Sequence, residues 1–217
     1  MTSTPLWKPV EPDLDTVLEQ FERPLDELAA GNIPAIVLRN AWPEEECRSL
    51  VEKLIADDYL YDPQLPIPEK FRKETIPEGY YREGKNSVPS LAWEEQQVSG
   101  KSRIDIGTSL GYRGSDRAAY FQHSAETIAT FDRLFDGRSN PIHLLYRRLE
   151  QLSVDKIARI AYEPNGQLYG PAIIRAHYGG YTYKPHFDSV RLREKREDYA
   201  VHQFAHQFAG VLVLQNT

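Results

Sequence analysis

Ala176-His177-Tyr178-Gly179-Gly180-Tyr181-Thr182-Tyr183-Lys184-Pro185-His186-Phe187-Asp188-Ser189 is the stretch on which the reading of this chain turns. Side chains alternate faces along a β-strand, so His186 and Asp188, two residues apart, project from one face and can hold one metal ion. An imidazole and a carboxylate so placed supply two of the three protein ligands of a 2-His-1-carboxylate facial triad. That arrangement leaves the other positions of an iron(II) ion open to a cosubstrate and O2. A histidine from a later strand is expected as the third ligand.

The spacing does not decide the matter unaided, because six histidines and thirteen aspartates in 217 residues give a His-x-Asp by chance in about one such chain in three. The setting adds more. A strand rich in β-branched residues ends at Tyr178, and Gly179 and Gly180 allow a sharp bend or a close backbone approach. An aromatic segment then delivers Pro185-His186-Phe187-Asp188.

The run from Tyr178 through Gly180 and Tyr183 to Pro185-His186-Phe187-Asp188 resembles the metal-binding strand of the iron(II)/2-oxoglutarate-dependent dioxygenases, nearest in style to the prolyl-4-hydroxylase-like group. Ile33-Pro34-Ala35-Ile36-Val37-Leu38-Arg39-Asn40, followed by Pro43-Glu44-Glu45-Glu46-Cys47, is similar to that group's opening strand and helix. Phe208-Ala209-Gly210-Val211-Leu212-Val213-Leu214-Gln215-Asn216 is similar to the strand after its metal loop. The resemblance implies iron(II) on His186 and Asp188, with 2-oxoglutarate and O2 as cosubstrates and ascorbate as a candidate accessory reductant. Succinate and CO2 are the implied co-products, and hydroxylation of an unactivated C–H bond the implied reaction. The family's halogenating relatives have a small residue where Asp188 stands, to admit chloride, so the carboxylate implies a hydroxylase.

Tyr178 matches the family tyrosine that hydrogen-bonds 2-oxoglutarate, at a spacing to the histidine one residue shorter than in some members; a core tyrosine is the alternative. Tyr183 holds the family's aromatic position before the histidine, where packing is the expected role. Arg175 and Arg191 are near enough in sequence to meet an anionic substrate, although solvated arginine is the ordinary state. His123 and His143 fall on helices and are expected to be structural. The implied substrate is a small molecule or an amino-acid-like compound. Two other readings stay open: a protein substrate, such as a prolyl side chain, and a truncated, inactive cupin-like binding protein.

Composition sets outer bounds. A chain of 217 residues, 41% apolar and 27% charged, can bury one real core. A net charge of -6 with a pI near 5.6 argues against a nucleic-acid partner. No signal-peptide core or membrane-spanning apolar run is visible, and Cys47 is the lone cysteine. Both features point to a cytoplasmic protein without a membrane partner. The sequence leaves the oligomeric state open.

The expected fold is α+β to mainly β: a double-stranded β-helix, cupin-like and jelly-roll, in a single domain over residues 1–217. Residues 1–155 form an N-terminal helical support layer, with a strand at 33–39 and a long loop at 57–115, and residues 156–217 form the first part of the jelly-roll core. Helices are predicted after Asp13 or Asp15, from Pro24 to Gly31, after Pro43, after Ser115 or Asp116, and from Asn140-Pro141. Asn165-Gly166 predicts a hairpin between Lys156–Tyr162 and Pro171–Tyr178. About six strands can be drawn where a jelly roll has about eight. The third iron ligand and the basic residue for 2-oxoglutarate are therefore expected beyond Thr217, in a longer oxygenase whose C-terminal strands are missing here. On that reading the 217-residue chain binds iron weakly and forms little succinate. The alternative is completion of the site by His202 or His206.

Overall fold

The computed structural model describes residues 7–72, 103–108, 110, 116–178, 189–192 and 195–215. Its helices begin where short polar side chains can satisfy the first free N–H groups. In α1 (Leu14–Gln20) the Asp13 carboxylate accepts from the Thr16 N–H at 2.8 Å, and α2 (Pro24–Ala30) starts on proline and stops at Gly31, whose φ is +74°. Three glutamates fill the first turn of α3 (Glu44–Ala56), matching the positive end of its dipole, while Cys47, Leu50 and Leu54 are buried. Asp116 caps α4 (Arg117–Leu134), and Asn140 caps α5 (Pro141–Ser153) by accepting from Ile142 and His143.

The sheet among the described residues has two antiparallel strands, β1 (Arg103–Gly107) and β2 (Ile173–His177), in a register running from Arg103 opposite His177 to Gly107 opposite Ile173. Alternation sorts its faces. Ile104, Ile106, Ile174 and Ala176 join a core with Leu54, Phe131, Leu134 and Ile142 from the helices, and Arg103, Asp105, Arg175 and His177 fall on the opposite face. Glycine makes the close approach at its end: a Cβ on Gly107 (φ +106°) would lie 2.7 Å from the Ala172 carbonyl oxygen, and one on Gly170 would lie 2.6 Å from that of Thr108.

The partner of β2 is therefore β1, and the expected hairpin is confined to its tip. Glu163 N–H donates to the Gln167 carbonyl and Tyr169 N–H to that of Ala161, with one bridge between Tyr162 and Leu168. The Asn-Gly turn reverses the chain, but burial decides which strands pair beyond it. Ile104 and Ile106 extend the apolar face of β2 over the helices, whereas Ile157, at 82% exposure, points to solvent. The predicted strand at 33–39 contracts likewise to a single parallel bridge, Val10 with Ile36, over a small core of Val10, Val17, Ile33 and Leu152. Near the end of the chain Leu212 and Leu214 pack on the main core while Val211 and Val213 are exposed, the alternation expected of a strand.

Candidate metal centre

His186, Asp188 and Tyr183 lie outside the described residues. The described residues on either side of the His186–Asp188 motif end at Tyr178 and resume at Ser189. Tyr178 follows β2 directly, and its ring stacks on that of Tyr61 with centroids 4.1 Å apart and planes 11° apart. Phe71 extends the cluster, 5.3 Å from Tyr61. The Tyr178 hydroxyl donates to the Tyr61 carbonyl at 2.9 Å and accepts from the Tyr61 N–H at 3.2 Å. Burial raises the pKa of that hydroxyl, so it stays protonated and able to donate. After the motif, Val190 N–H donates to the Gln207 side chain at 2.9 Å and Leu192 N–H to the Ser189 hydroxyl at 2.9 Å.

Arg175 belongs to the charged face of the sheet. Asp105 takes its Nε at 2.6 Å and an Arg103 nitrogen at 3.0 Å, so the aspartate sits between two guanidinium groups. Burial lowers the pKa of the neighbouring His177, and Arg175 and Arg103 lower it further against the pull of Asp105. This imidazole is neutral at neutral pH.

A second polar centre was not singled out by the sequence. Glu163, 3% exposed, accepts from the Tyr169 hydroxyl, from the Ala200 N–H at 3.0 Å and from the Arg117 guanidinium at 2.8 Å. Arg117 lies in turn over the rings of Phe121 and Tyr199. Burial alone would raise the Glu163 pKa; the hydrogen bonds from Tyr169 and Ala200 and the charge of Arg117 outweigh it and hold the carboxyl below its usual value. Its partners come from α4, from the hairpin tip and from the turn at Ala200–Gln203, so only the folded chain reveals it.

The other candidates are dispersed. His202 lies in the Ala200–Gln203 turn with its N–H on the Tyr199 carbonyl, and His206 follows beyond the end of that turn, exposed. Their four-residue spacing therefore does not set them on one helical face. His123 and His143 are on α4 and α5 as expected. Among the described residues no group of three or more His, Cys, Asp or Glu could hold a metal ion. The donor set offered by His186 and Asp188, one imidazole and one carboxylate, is of a kind that suits iron(II). Among the described residues, no helix is long and apolar enough to cross a membrane.

Comparison with known families assigns the chain to the iron- and 2-oxoglutarate-dependent enzymes. More particularly, residues 10–214 match the family model described as the carrier-protein-independent halogenase WelO5, and the chain belongs to that family. No curated protein and no solved structure gives a significant match. The family thus bears a halogenase's name, and the expectation of the prolyl-4-hydroxylase-like group rests on the motif around His186 alone.

Proposed function

We propose that the protein is an oxygenase that hydroxylates a small-molecule or amino-acid-like substrate, with 2-oxoglutarate and O2 as cosubstrates, on an iron(II) site at His186 and Asp188. The single observation that carries this reading is the Pro185-His186-Phe187-Asp188 motif within a chain that matches the family over residues 10–214. Iron(II), when bound, supplies the activation of O2 coupled to decarboxylation of 2-oxoglutarate. The chain's own contribution is to hold the ion through two side chains and to leave positions open for the cosubstrates.

The choice of hydroxylation over halogenation rests on Asp188. A carboxylate on the ion occupies the position that a halide needs, and only a small residue there would vacate it. Belonging to a family named for a halogenase does not supply that vacancy. The β1–β2 sheet over a helical layer is compatible with the first strands of a jelly roll packed on their support, and a jelly roll is the architecture we propose for the whole.

The test is product analysis. The protein, iron(II), 2-oxoglutarate and a panel of amino acids and related small molecules are incubated in chloride- or bromide-containing buffer and analysed by mass spectrometry. A low yield of product carrying one added oxygen, in keeping with weak iron binding, and none from His186→Ala, is the expected result. A halogenated product from the unaltered chain would overturn the hydroxylase assignment, and identical products from His186→Ala would overturn the site.

A further inference from the structure

A groove of about 630 Å3 opens along α5, between that helix and the segments that carry Trp42 and Arg138. Its volume is that of a small-molecule site. His143, Arg147 and Glu150 line it from α5, where their spacing of four and three residues sets them on one face. The apolar part of the lining is fixed before any ligand arrives. Trp42 is 9% exposed, and its indole N–H donates to the Ser139 hydroxyl at 3.2 Å. The Tyr146 hydroxyl donates to the Pro171 carbonyl at 3.0 Å, and Leu144 packs on the main core. Walls held in this way cost a ligand little ordering on binding.

The charge of the groove runs against that of the chain. Two guanidinium groups, Arg138 and Arg147, stand against Glu150 as the one acidic residue of the lining, in a chain of net charge -6. Arg138 donates to the Ser49 hydroxyl at 3.4 Å, and neither arginine forms an ion pair among the described residues. A single solvated arginine is ordinary. Two of them, brought from separate elements to one preformed groove, can grip the oxygens of an anion from two sides. The end of α5 contributes little, because Asn140 already accepts from the Ile142 and His143 N–H groups.

We infer that this groove binds a small organic oxyanion, a carboxylate or a phosphate ester, whose charged end meets Arg138 and Arg147 and whose apolar body lies against Trp42, Leu144 and Tyr146. The His143 imidazole supplies a further N–H. The site is independent of the iron reading, and its test needs no metal.

The test follows the Trp42 indole N–H resonance in the 15N-labelled full chain, identified by elimination with Trp7→Phe and Trp93→Phe. Phenyl phosphate, benzoate, inorganic phosphate and the uncharged benzyl alcohol are titrated separately. A saturable shift is expected with phenyl phosphate, benzoate or both, and which of them binds tells a phosphate site from a carboxylate site. Arg138→Ala and Arg147→Ala are each expected to weaken that binding about tenfold, the size of one charge-assisted hydrogen bond. Both side chains are exposed, so the melting temperature should stay where it is. Glu150→Gln removes a repelling charge and is expected to tighten binding about two- to fivefold. No shift with either aromatic anion would overturn the inference, and so would benzyl alcohol binding as tightly as they do. Inorganic phosphate binding as tightly as phenyl phosphate would overturn the organic ligand, and unchanged affinity in the double arginine variant would overturn the site.

Discussion

At the scale of single residues, Glu163 shows how burial and hydrogen bonding compete. A carboxylate at 3% exposure is costly by itself, yet its three donors leave its pKa below the ordinary value of about 4.5. A depressed folded-state pKa contributes stability that is fully present above the unfolded value and is lost as pH falls through the folded one. The melting temperature is therefore expected to drop as the pH is taken from 6 to below about 4.5, and Glu163→Gln is expected to flatten that part of the profile. At neutral pH the same substitution should cost about 1–3 kcal/mol in urea denaturation, because the Tyr169 hydroxyl and Arg117 lose a charged acceptor. An unchanged pH profile would remove Glu163 from the account of acid stability. Nothing in the sequence around Glu163-Pro164-Asn165-Gly166 distinguishes it from a solvated turn residue, since its partners Arg117 and Ala200 are far away along the chain.

At the scale of elements, the helices were legible because their signals are local. Asp13, Asp116 and Asn140 each cap the helix that follows, and Gly31 takes the left-handed conformation that ends α2. Asn140→Ala is expected to lower stability by about 0.5–2 kcal/mol, with the first turn of α5 exchanging its amides faster. The pairing of strands was less legible. Asn165-Gly166 announces a reversal correctly, but β2 takes its partner from Arg103–Gly107, some seventy residues earlier, because Ile104 and Ile106 complete its buried face. Gly107 is the clue to that pairing that the sequence holds without displaying. Gly107→Ala places a Cβ 2.7 Å from the Ala172 oxygen at a φ of +106°, and is expected to cost about 1–3 kcal/mol in denaturant unfolding. A neutral effect would mean that β1 and β2 do not approach so closely.

At the scale of the whole molecule, the family match over residues 10–214 and the His186-x-Asp188 motif converge on one chemistry, iron- and 2-oxoglutarate-dependent oxidation. The motif was legible because its histidine and its aspartate are neighbours in sequence. The contact of Tyr178 with Tyr61 was not, because 117 residues separate them and both are ordinary tyrosines until the fold brings them together. The carboxylate at Asp188 sets the expected outcome. Asp188→Gly should retain 2-oxoglutarate decarboxylation weakly and, with chloride present, divert product from alcohol toward chloride, read by mass spectrometry; alcohol alone, in undiminished yield, would show that the carboxylate is not on the metal. The ligands themselves are probed most directly by an anaerobic iron(II) titration of the chain. Binding is expected to be weak, to saturate at one iron(II) per chain, and to be lost in both His186→Ala and Asp188→Ala. Uptake that is the same in all three proteins would contradict the assignment of these two residues to the metal.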